Sequence, residues 1–88
     1  MEITETESAN RLALVGIIVS DADAVETVNA VLHEYGKSIL GRMGLPVRER
    51  GVNAISIVVD APADAINSLT GRLGRINGVA AKALFQKL

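Results

Sequence analysis

The chain has 88 residues and no cysteine, with nine Lys and Arg against ten Asp and Glu for a formal charge of −1. A length of this kind makes one small domain, which buries only roughly 60% of the surface its unfolded form exposes. Without cysteine, no disulfide, thiolate chemistry, iron–sulfur ligation or Cys-based zinc site is open to it, and with aromatics at 2% (Tyr35 and Phe85) it lacks the platforms of a base-stacking nucleic-acid binder.

The first segment, MEITETESAN, is acidic and polar, the reverse of a secretory signal, and reads as a flexible arm over 1–10 ahead of a domain over 11–88. Three of the ten acids, Glu2, Glu5 and Glu7, fall in the arm, so the domain carries nine basic against seven acidic side chains. That balance is too mild to imply nucleic acid. RLALVGIIVS (11–20) is apolar on both faces and β-branched toward its end, as a central strand is, and is far too short to cross a membrane. The lack of cysteine suits a reducing, cytoplasmic setting.

Ser20 and Asp23 then show the S-x-x-D spacing of a helix start. Val25, Val28, Leu32 and Tyr35 form one buried helical stripe, which Gly36 terminates. SILGRMGLPV (38–47) and VNAISIVVD (52–60) read as the second and third strands, joined by a hairpin at RERG. Asp60 and Pro62 mark a second helix start, and Ile66, Leu69, Leu73 and Ile76 repeat the helical stripe. Asn77-Gly78 stops that helix, and VAAKALFQKL (79–88) reads as the last strand.

The order β-α-β-β-α-β is the split βαβ pattern of an α+β, ferredoxin-like sandwich: a four-stranded antiparallel sheet with two helices on one face. Its expected sheet order is fourth, first, third, second, which makes the second strand an edge. Gly41, Arg42, Gly44 and Pro46 suit that edge, where they discourage pairing with stray chains.

Two helices cover only one face of such a sheet. The first strand nevertheless puts Leu12, Leu14, Gly16 and Ile18 on one face and Ala13, Val15, Ile17 and Val19 on the other. The third sets Ile55, Ile57 and Val59 opposite Ala54, Ser56 and Val58. A second apolar face left in water is the kind of patch monomers avoid, so self-association is expected, as a dimer or tetramer.

Catalysis has no visible candidate. His33 lies off the buried stripe of its helix, and one histidine without cysteine makes no closed transition-metal site within one chain. No Ser–His–acid set has supporting context, and GRLG (71–74) lies inside a helical pattern and so is no phosphate loop. No cofactor is expected. The topology does gather one cluster at a single end of the domain. Arg48, Arg50 and Arg75 converge on the first turn of helix one, where the backbone amides of Asp21, Ala22 and Asp23 offer an anion or carboxylate site. The competing expectation is that Asp21, Asp23 and Glu49 pair with those arginines.

From Arg11 to Leu84 the chain also resembles the small proteins known as iron-only hydrogenase system regulators. The matching stretches are Val28-Asn29 with Leu32-His33, GLPVRE (44–49) and LTGRLGRINGV (69–79). The resemblance implies an ACT-like, ferredoxin-like domain related in shape to the C-terminal domain of nickel-responsive repressors. Those repressors bind nickel through several histidines and a cysteine and carry a DNA-binding arm. This chain has one histidine, no cysteine and an acidic arm, so neither property carries over. The resulting expectation is a cytoplasmic, non-enzymatic regulatory module that oligomerises and acts through a small molecule or protein partner, with no membrane and no direct nucleic-acid contact. The alternatives are an ACT-type sensor of an amino acid or small anion unrelated to hydrogenase, and a DNA-binding transcriptional regulator.

Overall fold

The computed structural model describes residues 10–88. Its elements are β1 (Asn10–Val19), α1 (Val25–Glu34), β2 (Ile39–Val47), β3 (Val52–Pro62), α2 (Ala63–Gly74) and β4 (Val79–Phe85), with short 3₁₀ turns at Ala22–Ala24, Gly36–Ser38 and Arg48–Arg50. All strand pairs are antiparallel and the sheet order is β2-β3-β1-β4. This is the ferredoxin-like α+β fold, with β2 and β4 at the edges. The arm expected over 1–10 lies, up to residue 9, outside the described residues; Asn10 already pairs with Pro62 in the sheet.

Several boundaries differ from those the sequence suggests. Helix one does not begin with a Ser20–Asp23 capping box. Asp21 caps a 3₁₀ turn by accepting the Asp23 amide on Oδ1 at 2.9 Å, and regular α-helix starts only at Val25. Asp lets its short carboxylate close such a turn on its own backbone, which competes with helix initiation. β3 runs on to Pro62, whose extended backbone then serves as the helix-two N-cap without a side-chain bond. β4 ends at Phe85 instead of continuing to Leu88.

The core lies between the sheet and the two helices. It takes Ala13, Val15, Ile17 and Val19 from β1 and Ile57, Val59 and Ala61 from β3. Helix one adds Val28, Val31 and Leu32, and helix two adds Ile66, Leu69 and Leu73. Val31 joins the stripe seen in the sequence, while Val25 and Tyr35 flank it half-buried. No buried side chain among the described residues is polar or charged, so this small core is held by apolar burial.

Outside the core, Arg72 ties the helices together. Its guanidinium pairs with Glu34 and lies over the Tyr35 ring at 5.7 Å, and Tyr35 Oη meets Ser68 Oγ at 3.2 Å. Hydrogen bonding and charge from Arg72 hold the Glu34 carboxyl below its ordinary range. Along the β1–β4 edge, Arg11 lies over Phe85 at 5.2 Å and donates to the Gln86 carbonyl.

Candidate functional site

Strand register fixes where the basic corner sits. Val19 pairs with Asn53 on one side and Val79 on the other, and Val47 pairs with Val52. The exit of β1, the hairpin 48–51 and the entry to β4 therefore share one end of the sheet. Arg48 and Arg50 project from the β2–β3 hairpin, which closes through the Gly51 amide on the Arg48 carbonyl at 3.2 Å. Gly51 has φ 67, a left-handed conformation that costs glycine nothing. Arg75 caps α2, its amide shared between the Gly71 and Arg72 carbonyls.

The turn before β4 packs onto the Asp21 turn. Ser20 donates its amide to the Gly78 carbonyl at 2.7 Å. Gly78 has φ 81, and a Cβ there would lie 2.7 Å from Asp21 Cβ. The penultimate residue of the LTGRLGRINGV block is thus a glycine that the close approach of two turns demands.

Arg48, Arg50 and Arg75 are exposed, as are Ala22 and Asp23, while Asp21 is half-buried. Among the described residues the ion pair formed is Arg72–Glu34, and none joins these arginines to Asp21, Asp23 or Glu49. Of the three amides expected to face an anion, that of Asp23 is held by the Asp21 carboxylate. The hairpin arginines stand on the β3 side of β1, and the Arg75 guanidinium lies back against Gly71 of its own helix.

A spacious cavity lies elsewhere, on the sheet face that the helices leave open. Six large apolar side chains, Leu12, Leu14, Ile18, Met43, Leu45 and Leu84, are 40–71% exposed on it. Across its middle runs a row of one residue per strand, Lys82, Gly16, Ser56 and Met43. Gly16 has open space where a Cβ would be, and the row floors a trough of about 420 Å³. A smaller cavity of about 130 Å³ lies between α1 and β2, beside Arg42, which donates to Asn29 Oδ1 at 2.7 Å. Sequence reasoning singled out neither cavity, although Lys82 amid the alanines of β4 signals that something polar faces the open side. His33 is exposed, and among the described residues no three His, Cys, Asp or Glu cluster as a metal site would require.

A family model described as "Iron-only hydrogenase system regulator, putative" (TM1266-like) matches residues 11–83. The chain belongs to the TM1266-like family. The uncharacterized protein TM1266 from Thermotoga maritima is 37% identical, with a TM-score of 0.85 over 89% of this chain and 99% of that one. The ACT domain of the GTP pyrophosphokinase of Chlorobium tepidum is 17% identical, with a TM-score of 0.73 over 85% of this chain and 99% of that one. A formyltetrahydrofolate deformylase from Pseudomonas putida KT2440 matches at 19% identity and a TM-score of 0.56, covering 84% of this chain and 28% of that one. These last two show the fold alone, and that fold is ACT-like. No curated protein matches. No described helix is long and apolar enough to cross a membrane.

Proposed function

We propose that this TM1266-like protein is a non-enzymatic, cytoplasmic regulatory module of an iron-only hydrogenase system, which self-associates and responds to a bound small molecule or protein partner. The observation that carries this reading is the open sheet face. Six large apolar side chains are exposed there, and three of them, Ile18, Met43 and Leu45, line a trough of about 420 Å³, whereas a monomer keeps its exposed apolar patches small. Enzymatic readings gain little support, since the single histidine is exposed and, among the described residues, no three His, Cys, Asp or Glu side chains cluster.

Light scattering across the micromolar range tests the assembly part of this reading. A dimer or larger species is expected, and a clean monomer throughout would reject it. Co-purification from cells that express the hydrogenase system, with and without the hydrogenase genes, tests the partner part.

A second reading, sensing of a small anion or an amino acid, is favoured by the three exposed arginines around the Asp21 turn, which have no ion-pair partner among the described residues. An anion there would engage Arg48 and Arg50 from the hairpin and Arg75 from helix two, in competition with the Asp21 carboxylate. Thermal-shift measurements with phosphate and with amino acids test it, a saturable rise in Tm being the expected result. Direct DNA binding has no comparable feature behind it. A salt-dependent shift on DNA fragments would nevertheless bring it back.

A further inference from the structure

Among the described residues the open face carries two charged side chains amid its apolar ones, Lys82 at the β4 edge and Asp60 near the far end of β3. Both are exposed, and neither has an ion-pair partner among the described residues. Register places them symmetrically about Leu14. Lys82 is one strand over and two residues along, because it pairs with Gly16. Asp60 is one strand over on the other side and two residues the other way, because it pairs with Leu12. With strands about 4.8 Å apart and residues about 3.4 Å apart along them, the two charges are roughly 17 Å from each other. They cannot meet within one chain.

From this arrangement we infer that the open face stacks on the same face of a second copy about a two-fold axis through Leu14 and Met43, so that Lys82 of each copy meets Asp60 of the other. The inference rests on the self-association proposed above and specifies its geometry. A two-fold axis in the plane of the interface acts on the register map as a reflection. The line that exchanges the Lys82 and Asp60 positions passes through Leu14 and, continued across the sheet, through Met43. Those two side chains then face their own counterparts.

The same operation carries Val58 to the Gly16–Ser56 trough and Leu12 to Leu84. An apolar side chain thus faces the hollow that the missing Cβ of Gly16 leaves open. The spacing is suitable too: stacked sheets sit about 10 Å apart, a gap that a lysine and an aspartate bridge from opposite sides. The face measures about 20 by 25 Å, so two copies bring together about 1,000 Å² before side-chain relief is added, the threshold for a specific interface. Both charges lie at the border of the apolar centre, where complementary groups set register.

Charge reversal tests this geometry with the whole chain. Lys82→Glu and Asp60→Lys should each weaken the wild-type dimer about tenfold or more in sedimentation equilibrium, since each dimer loses two pairs and gains two repulsions. The double reversal should restore the affinity to within about threefold of wild type. Because both residues are exposed, thermal unfolding of each variant should stay two-state and confirm that the monomer folds. The absence of cysteine supplies an independent readout: Met43→Cys, on the axis, should be cross-linked to itself by a short bis-maleimide, and Arg50→Cys, far from the axis, should not. A wild-type dimer whose affinity ignores both reversals, or whose Met43→Cys variant does not cross-link, overturns this geometry and leaves self-association standing. A wild-type monomer overturns both.

Discussion

Replacing Gly78 by alanine should be among the most damaging conservative changes in the chain. Two costs add there. The backbone is left-handed, with φ 81, which costs an alanine about 1–2 kcal/mol. The new Cβ would also lie 2.7 Å from Asp21 Cβ and 3.3 Å from the Asp21 amide nitrogen, well inside normal contact. Relieving that overlap means separating two turns that the Ser20–Gly78 backbone bond holds at 2.7 Å, an overpacking cost of about 1–3 kcal/mol. The lower entropy of the unfolded alanine chain returns about 0.4–1 kcal/mol, so the net loss is about 2–4 kcal/mol. Gly51 provides the control. It is also left-handed, at φ 67, but nothing lies within 4 Å of its Cβ position, so Gly51→Ala should cost about 1 kcal/mol or less. Urea titration followed by circular dichroism at a fixed protein concentration measures both. Gly78→Ala should lower Tm by about 10–20 °C in a domain of this size. Equal destabilisation by the two substitutions would refute the claim that contact with Asp21, rather than backbone conformation alone, fixes glycine at 78.

The two faces of β1 should respond differently to charge. Val15→Lys puts an ammonium into a fully buried site and should unfold the domain at room temperature, whereas Leu14→Lys should leave a folded monomer; circular dichroism and light scattering separate these outcomes. Arg48→Ala should reduce any phosphate-induced rise in Tm while changing the unliganded protein by well under about 1 kcal/mol, which a thermal-shift titration reads directly. Because Arg72 depresses the Glu34 carboxyl, the stability this pair contributes is present in full above the ordinary carboxylate value of 4.5 and is lost as pH falls through the depressed value below it. Glu34→Gln should therefore flatten the acid side of the stability–pH curve, as denaturation at several pH values would show. Elemental analysis of tag-free protein should find no stoichiometric nickel, zinc or iron.

Period and order in the sequence were enough to lay out the six main elements, because each helix carries an apolar stripe and the strands read as apolar, β-rich runs between turn residues. The face of β1 toward the helices was not legible, since Leu12, Leu14 and Ile18 are as apolar as Val15, Ile17 and Val19. Only the helices' position decides it. The Asp21 cap was also hidden, because Ser20 and Asp23 imitate a capping box while the carboxylate one residue after the serine closes a tighter turn. That the exit of β1, the 48–51 hairpin and the entry to β4 share one end of the sheet could be placed from topology. The bond from the Asp23 amide to the Asp21 carboxylate could not, because it is a matter of tenths of an ångström. Lys82 and Asp60 lie 22 residues apart in the chain, and only cross-strand register reveals that they are symmetric about Leu14.

The strict alternation of β1 also has a genetic consequence. Positions 13, 15, 17 and 19 are closed over by helices, and positions 12, 14, 16 and 18 are not, so two interleaved messages are written in one ten-residue strand. Point substitutions can edit one message and leave the other untouched, which lets surface recognition drift while the fold is conserved. Deleting a single residue inside the strand has a different result. It would swap the messages beyond the lesion, sending a lysine-facing glycine inward and a core valine out to solvent. Within β1, descent should therefore tolerate replacements on the open side far more readily than any change in length.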